Sequence, residues 1–600
     1  MNFQLEIARA ADLLHRGKTM ESAAICGSIL AREPRNASAA HLLGLALKDG
    51  DDWAQGEQWL RFSIELDPQC GEFHANLANL MRRQAKYSQA ARLYRRAVEL
   101  APSHRPSRCS LALTLNDLRR YDEAESQSRI LIEADPADAQ AWVILGITLA
   151  NQGRLPESET AYRHALALDP ENQIAQNNLG ALLLRMQKPE AAVAALAAAS
   201  PSPAGSYELA FNRGRAFLDV NDIDAAEREF DRAVTLRPSD TEAQLNLAGV
   251  RFMRGDPKFA RSLAAASAAN RDDGELQLLL GQLMRQAGNL NAAEALLHDL
   301  LGRKGPNPRV QSTLAGVLHE QGSLKEAEVQ ALEAASAAPD DSSVIETLVN
   351  ILLARGCPQD AMGFIAARRA KAPKSQAWIA YEATAARALG HDLYQHYFDY
   401  ARLVRVFDLE APAGWESISE INQALVEVLN ARHRFSHHPL GQTLRNGTQT
   451  SRSLLSDPDP VIEAILKAFK APIQQYRDSL GQDAHHPLSS RNHGDSVFTG
   501  AWSVRLQRNG FHVNHFHPDG WISSAYYVDI PSEAQDQRTK AGWLKFGEPR
   551  YFVPGLQAEL QIQPRPGRLV LFPSYMWHGT NAISGPESRT SIAFDVVPGG

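Results

Sequence analysis

Residues 1–375 carry apolar positions at three- and four-residue spacing, broken by short polar joints, and the pattern returns every 34 residues. Pro34, Pro68, Pro102, Pro136 and Pro170 are 34 apart. The count resumes at Pro238 and Pro306, slips by one to Pro339 and reaches Pro373. Small residues keep the same register: Gly44, Ala78, Ala112, Gly146, Gly180, Gly214 and Ala248, then Ala90, Ala124, Ser158, Ala192, Ala226 and Ala260. Each unit therefore reads as two amphipathic helices. The small residues mark where the pair crosses, and the proline follows the second helix, which it cannot continue. One unit cannot bury its own apolar face, so about ten units stack into an all-α solenoid over 1–375. The joint at 200–208 and the unit around Asn270–Asp273, which lacks its proline, hold the register least well.

Beyond Pro373 the pattern changes twice. Residues 376–497 read as a helical linker and the helical part of a C-terminal domain, with SISEINQALVEVLNARHRF a clear amphipathic run. Residues 457–479 read as a further helix capped by Asp457. From 498 the period becomes two. TGAWSVRLQRNG, WISSAYYVDIP, GWLKFGE, LQAELQIQP, GRLVLFP and SRTSIAFDVV are short bursts separated by Gly and Pro, which predicts a sandwich or jelly-roll barrel over 498–600. The fold class expected is thus α + β multidomain, an N-terminal solenoid followed by a jelly roll. The GTQTSR run at 447–452 and the pairs His437-His438 and His485-His486 read as polar surface loops.

Composition mainly excludes. Charged residues at 22% and hydrophobic residues at 44% are ordinary for a globular chain, and a net charge of −7 is unlike the basic footprint of a nucleic-acid binder. There is no run of about 18 apolar residues, so no membrane span is expected, and the first residues lack the basic and apolar regions of a signal peptide. Cys26, Cys70, Cys109 and Cys357 are scattered, which argues against a disulfide framework. A cytoplasmic location is expected. Histidine is uneven: seven of 19 fall in 1–390 and twelve in 391–600. That shift points toward metal or acid–base chemistry in the C-terminal third.

The 34-residue register with its small residues and prolines resembles the tetratricopeptide repeat (TPR). The resemblance implies a right-handed superhelix whose concave groove takes protein or peptide segments.

In the β-rich tail, His512, His515 and His517 lie in GFHVNHFHPDGW, just before ISSAYYVDI. His515 and His517 are two apart and share a face of extended chain. His578 follows RLVLF about 60 residues on. A pair from one strand and one residue from another is how a facial metal triad is made. His517-Pro518-Asp519 has the same i, i+2 geometry, so spacing leaves Asp519 open as an alternative ligand in a His517/Asp519 pair. His512 is off that face. Arg589 comes eleven residues after His578, with Ser591 two residues further.

HFHP, SSAYYV, PGRLVLFP, MWHG and SRTS, in that order, resemble the non-haem Fe(II), 2-oxoglutarate-dependent oxygenases, and most nearly a bacterial and phage branch of them. The resemblance implies a double-stranded β-helix, Fe(II), 2-oxoglutarate as cosubstrate and O2. His515, His517 and His578 would hold the metal. Arg589 and Ser591 would bind the far carboxylate of 2-oxoglutarate. The activity implied is hydroxylation, with a protein or peptide client brought by the solenoid. Histidine stands at 517 where most members have a carboxylate. The alternative is a non-catalytic TPR scaffold with a degenerate or cupin-like metal-binding barrel. A cupin-like site has no use for Arg589. A glycosyltransferase would need a long doubly wound domain, for which the β-rich tail is too short.

Overall fold

The structure, a computed structural model, describes residues 3–198, 206–433, 435 and 437–599; most of the 200–208 joint lies outside them. The chain divides into two compact units, Met1–Ala216 and Phe217–Gly600.

Among the described residues eleven helix pairs follow one another, from Phe3–His15 with Thr19–Arg32 to Ser342–Ala354 with Pro358–Lys371, and the single helix Gln376–Ala388 comes after them. The early second helices end two residues before their prolines: Arg32 before Pro34, Leu66 before Pro68, Leu100 before Pro102. Many first helices start on a side-chain cap in the same register. Asn36, Asp138, Asn172, Asp240, Asp273, Asn307 and Asp341 each accept a backbone N–H from the first turn. The unit without a proline keeps its cap, Asp273, but the helix before it is only nine residues, Arg261–Ala269.

Gly44, Gly146, Gly180 and Gly281 sit where the paired helices cross. A Cβ on Gly146 would come within 2.6 Å of the Tyr162 ring, and one on Gly180 would overlap Leu196. Gly44 meets Leu60 and Gly281 meets Leu297 in the same way. The second small position serves the same crossing: Ser158 Oγ donates to the Gly146 carbonyl at 2.7 Å.

Among its described residues the second unit adds nine strands: β1 (Arg405–Asp408), β2 (Leu444–Gln449), β3 (Ser496–His512), β4 (Ile522–Asp529), β5 (Leu544–Phe546), β6 (Leu560–Ile562), β7 (Arg568–Pro573), β8 (His578–Thr580) and β9 (Arg589–Pro598). They form a six-stranded sheet in the order β1-β7-β4-β9-β3-β2 and a three-stranded sheet β6-β5-β8. Every pairing is antiparallel. Phe546 of the small sheet packs on Phe572 of the large one, centroids 5.0 Å apart, so the two face each other. Helices cover the other face of the large sheet. Phe469 stacks on Phe594, and Tyr526 donates to Asn422 Oδ1 at 2.7 Å. Alternation therefore turns Phe594 toward the helices and the odd residues of β9, among them Arg589, Ser591 and Asp595, toward the space between the sheets. One continuous core runs from Leu278 in the helix pairs to Val596 in β9.

Three local expectations change. Two strands join the large sheet from before residue 498. β1 pairs with β7, and β2 includes the start of the run read as a polar loop at 447–452. The helix expected over 457–479 is two, Pro460–Ala468 and Lys470–Leu480. Pro472 lacks the N–H that would bond Ala468, and the helix is interrupted at Phe469. The cap is Asp459, whereas Asp457 takes a two-point contact from Arg432. His486 is fully buried rather than a surface residue, with Nε2 donating to the His396 carbonyl at 3.1 Å. No helix among the described residues is long and apolar enough to cross a membrane.

Gly180→Leu should destabilise the first unit by about 1–3 kcal/mol through overpacking against Leu196. Gly27→Ala, in a helix of the same unit where a Cβ meets open space, should be neutral or stabilising by up to about 1 kcal/mol. Urea unfolding of both variants checks the difference.

Candidate metal centre

Three backbone contacts bring the histidines together. His515 and His578 form a two-way bridge, N to O at 2.8 and 2.9 Å, and the His517 amide donates to the Ser574 carbonyl at 2.9 Å. His515 and His517 thus lie on an extended segment after β3, and His578 opens β8. Their rings converge, with centroids 4.2 Å apart for His515 and His578, 5.1 Å for His517 and His578 and 5.2 Å for His515 and His517. One nitrogen from each lies within 4.8 Å of the others.

The far side of each ring decides what those nitrogens are. His515 Nδ1 faces the Val513 carbonyl and His578 Nδ1 the Met576 carbonyl, both at 2.9 Å. His517 Nδ1 faces Asp595 Oδ1 at 2.6 Å. All three acceptors require Nδ1 to carry a proton, which in a neutral ring leaves Nε2 free to bind a metal. The Nε2 atoms of His515 and His517 are 3.2 Å apart. Two ligands at right angles about 2.1 Å from one ion stand about 3.0 Å apart. Three imidazoles with Nδ1 tied back and Nε2 aimed at one point fit a divalent metal. Burial, with His515 beside it, drives His578 well below the usual histidine range. Burial, reinforced by His517, lowers His515 to about 3.

Asp595 was not among the residues singled out from the sequence. It is 8% exposed and also accepts from Ser523 Oγ at 2.6 Å, its cross-strand partner on β4. The one available signal was a lone acid inside the apolar run IAFDVV. Asp519, the alternative ligand, is exposed and lies outside the cluster. His512 stacks on His515 at 5.7 Å and has Nδ1 on Thr443 Oγ1 at 3.2 Å, so it supports the cluster without joining it.

Arg589 is 3% exposed, and among the described residues no carboxylate pairs with it. Its Nη1 donates to the Gly542 carbonyl at 2.7 Å and the guanidinium lies over the Tyr527 ring at 5.5 Å. Its Nε and the Tyr527 hydroxyl are buried without a partner. Burial pulls the guanidinium below the usual arginine range. Ser591, two residues on, is buried on the same face, opposite Val504 and Tyr527.

The helix that follows the last pair, Gln376–Ala388, braces this centre. Phe516, between two of the histidines, meets the rings of Trp577 at 4.9 Å and Tyr381 at 6.0 Å. Trp577 Nε1 donates to Thr384 Oγ1 at 2.9 Å, and Tyr381 Oη accepts from Asn350 at 2.9 Å. Arg387 donates to the carbonyls of Gly547 and Gln557, and so clasps the base of the loop between β5 and β6.

Residues 500–595 match the protein family described as "Putative 2OG-Fe(II) oxygenase". Tetratricopeptide repeat families match at 74–106, 109–172, 145–206, 211–275 and 260–317. The chain joins tetratricopeptide repeats to a 2OG-Fe(II) oxygenase-family domain. Similar solved structures cover repeats. A tetratricopeptide repeat protein from Parabacteroides merdae ATCC 43184 is 17% identical with TM-score 0.36, over 41% of this chain and 97% of that one. MamA from Desulfovibrio magneticus RS-1 is 19% identical with TM-score 0.26, over 27% and 91%. YrrB, described as a TPR protein with an unusual peptide-binding site, is 17% identical with TM-score 0.27, over 34% and 96%. No curated protein matches the chain.

The buried imidazoles of the oxygenase-family domain make its metal-free fold acid-sensitive. A histidine held neutral below the usual 6.5 binds fewer protons folded than unfolded, so its stability contribution is lost as pH falls from 6.5 toward the folded value. Each such group costs up to about 1.4 kcal/mol per pH unit in that window. Metal-free His578→Gln should show a shallower loss of stability between pH 7 and 5 than the parent protein, read by urea unfolding at each pH.

Proposed function

We propose that the protein is an Fe(II)- and 2-oxoglutarate-dependent oxygenase that hydroxylates a protein or peptide client. The observation that carries this reading is Arg589. A buried guanidinium without a counter-ion costs several kcal/mol, and a metal site alone gives no reason to keep one. An anionic ligand between the sheets would remove that cost. A dicarboxylate held at one end by a metal presents such an anion at its other end.

In this reading His515, His517 and His578 hold Fe(II) through Nε2. Arg589 receives the far carboxylate with its unpaired N–H groups, a charge-assisted contact with directional donors. Ser591 and Tyr527 offer hydroxyls on the same face. Val504, Phe546 and Phe572 shield the space from water, which strengthens every charge contact in it. Iron with 2-oxoglutarate and O2 supplies oxidative decarboxylation coupled to hydroxylation when bound. The helix pairs present hollows that a peptide could occupy, among them one of about 360 Å³ in the first unit lined by Ala75, Asn76, Asn79, Tyr94, Pro106 and Ser110. All four cysteines are free thiols, which suits a reducing cytoplasm.

Anaerobic Fe(II) titration with and without 2-oxoglutarate, followed by oxygen and a succinate assay, tests the reading directly. Arg589→Ala should keep Fe(II) affinity near that of the parent while weakening 2-oxoglutarate by about 2–5 kcal/mol. Arg589→Lys, which keeps the charge without the planar fork, should fall between them. Unchanged 2-oxoglutarate affinity in a folded Arg589→Ala protein would favour the cupin-like alternative.

A further inference from the structure

The three ring nitrogens that face one another are all neutral donors. A divalent ion among them would bring two positive charges into a buried space where the chain itself offers no anionic ligand. The chain places one carboxylate a single hydrogen bond away. Asp595 Oδ1 takes the Nδ1–H of His517 at 2.6 Å, and no Lys or Arg pairs with Asp595 among the described residues. Among the described residues its only other side-chain hydrogen bond comes from the Ser523 hydroxyl, also at 2.6 Å.

The three histidines are thereby unequal. His515 and His578 give their Nδ1–H to neutral peptide carbonyls, whereas His517 gives its proton to a carboxylate. A carboxylate behind a ligating imidazole makes it a stronger and more anionic donor. The surroundings hold Asp595 in place for this. Ser523 lies opposite it in the β4–β9 register, Ser523 Oγ meets Ser574 Oγ at 2.8 Å, and the Ser574 carbonyl takes the His517 amide. Both sides of the His517–Asp595 contact are therefore fixed by the same two serines.

We propose that Asp595 is a positioning residue that delivers to the metal, through His517, the negative charge a directly bound carboxylate would otherwise supply. This rests on the metal reading above. Charge and orientation can be separated. Asp595→Asn keeps an oxygen for the Nδ1–H and loses the charge; Asp595→Ala loses both.

The test uses the full chain, anaerobically, with Co(II) absorption to follow ligand geometry and affinity and redox titration of bound iron to follow charge. Asp595→Ala should weaken Co(II) by about 10–100-fold and change its spectrum. Asp595→Asn should keep the spectrum and raise the Fe(III)/Fe(II) potential, by about 59 mV for each tenfold loss of preference for Fe(III). Ser523→Ala strips one hydrogen bond from the carboxylate and leaves more of its charge for His517, so it should lower the potential. This opposite sign serves as the test should Asp595→Asn not fold. A purely structural aspartate would lower thermal stability in these variants and leave the potential where it was. An unmoved potential in folded Asp595→Asn, or in Ser523→Ala if the former does not fold, overturns the assignment while leaving the metal reading intact. A parent protein that takes up neither Co(II) nor Fe(II) overturns both.

Discussion

Two lone pairs held 3.2 Å apart in a buried pocket repel each other unless a cation or a proton lies between them. Burial works against the proton, as the depressed His515 and His578 show. Much of the second unit serves to hold that unfavourable arrangement. The His515–His578 bridge fixes two backbones, the Ser574 carbonyl fixes a third, and three acceptors choose the tautomers. Without those constraints the rings could rotate apart and expose the nitrogens to water.

The helix pairs belong to this support. Phe516 sits between two of the facing histidines, and its side chain is wedged between Trp577 and Tyr381. Tyr381 lies on the helix that follows the last repeat and is bonded to Asn350 of the repeat before. The amino-acid pattern changes at 376, yet packing does not. The core runs without a break from Leu278 to Val596, and the chain's compact units divide at Ala216/Phe217. The last helix pairs are therefore joined to the histidine segment by direct side-chain contacts, through Asn350, Tyr381 and Phe516.

The repeats were legible because each unit obeys the same steric rule. A crossing that admits no side chain demands Gly or Ala every 34 residues, and a helix end followed by proline recurs with it. The caps at Asn36, Asp138 and Asn172 recur in the same register but use interchangeable residue types, which blurs them in a single sequence. Six of the seven strands from β3 to β9 were legible from their period; β8, only three residues long, was not. β1 and β2, at the edges of the large sheet, were not: RVFD is mostly exposed, so no burial imposes alternation, and LRNGTQ is polar and broken by a register shift between Arg445 and Gly447. His515, His517 and His578 were visible as a spacing. Asp595 was not, because its role depends on which strand lies beside which: the β4–β9 register puts Ser523 opposite it, and only the chain's return at His517 brings the imidazole within reach.

That same strand separates the two readings of the domain. β9 carries Asp595 toward the histidines and Arg589 toward the opposite end of the space, both on the inward face and both buried. A scaffold barrel has no evident use for Arg589: a leucine at 589 would pack against Tyr527 without the desolvation that the guanidinium suffers, and removing such buried charges is often neutral or stabilising. Uncompensated groups of this kind persist where a ligand completes them. The lone pairs on one side call for a cation and the guanidinium on the other for an anion. One small molecule that chelates a metal at one end and ends in a carboxylate at the other satisfies both, which a metal alone or a peptide in the groove does not.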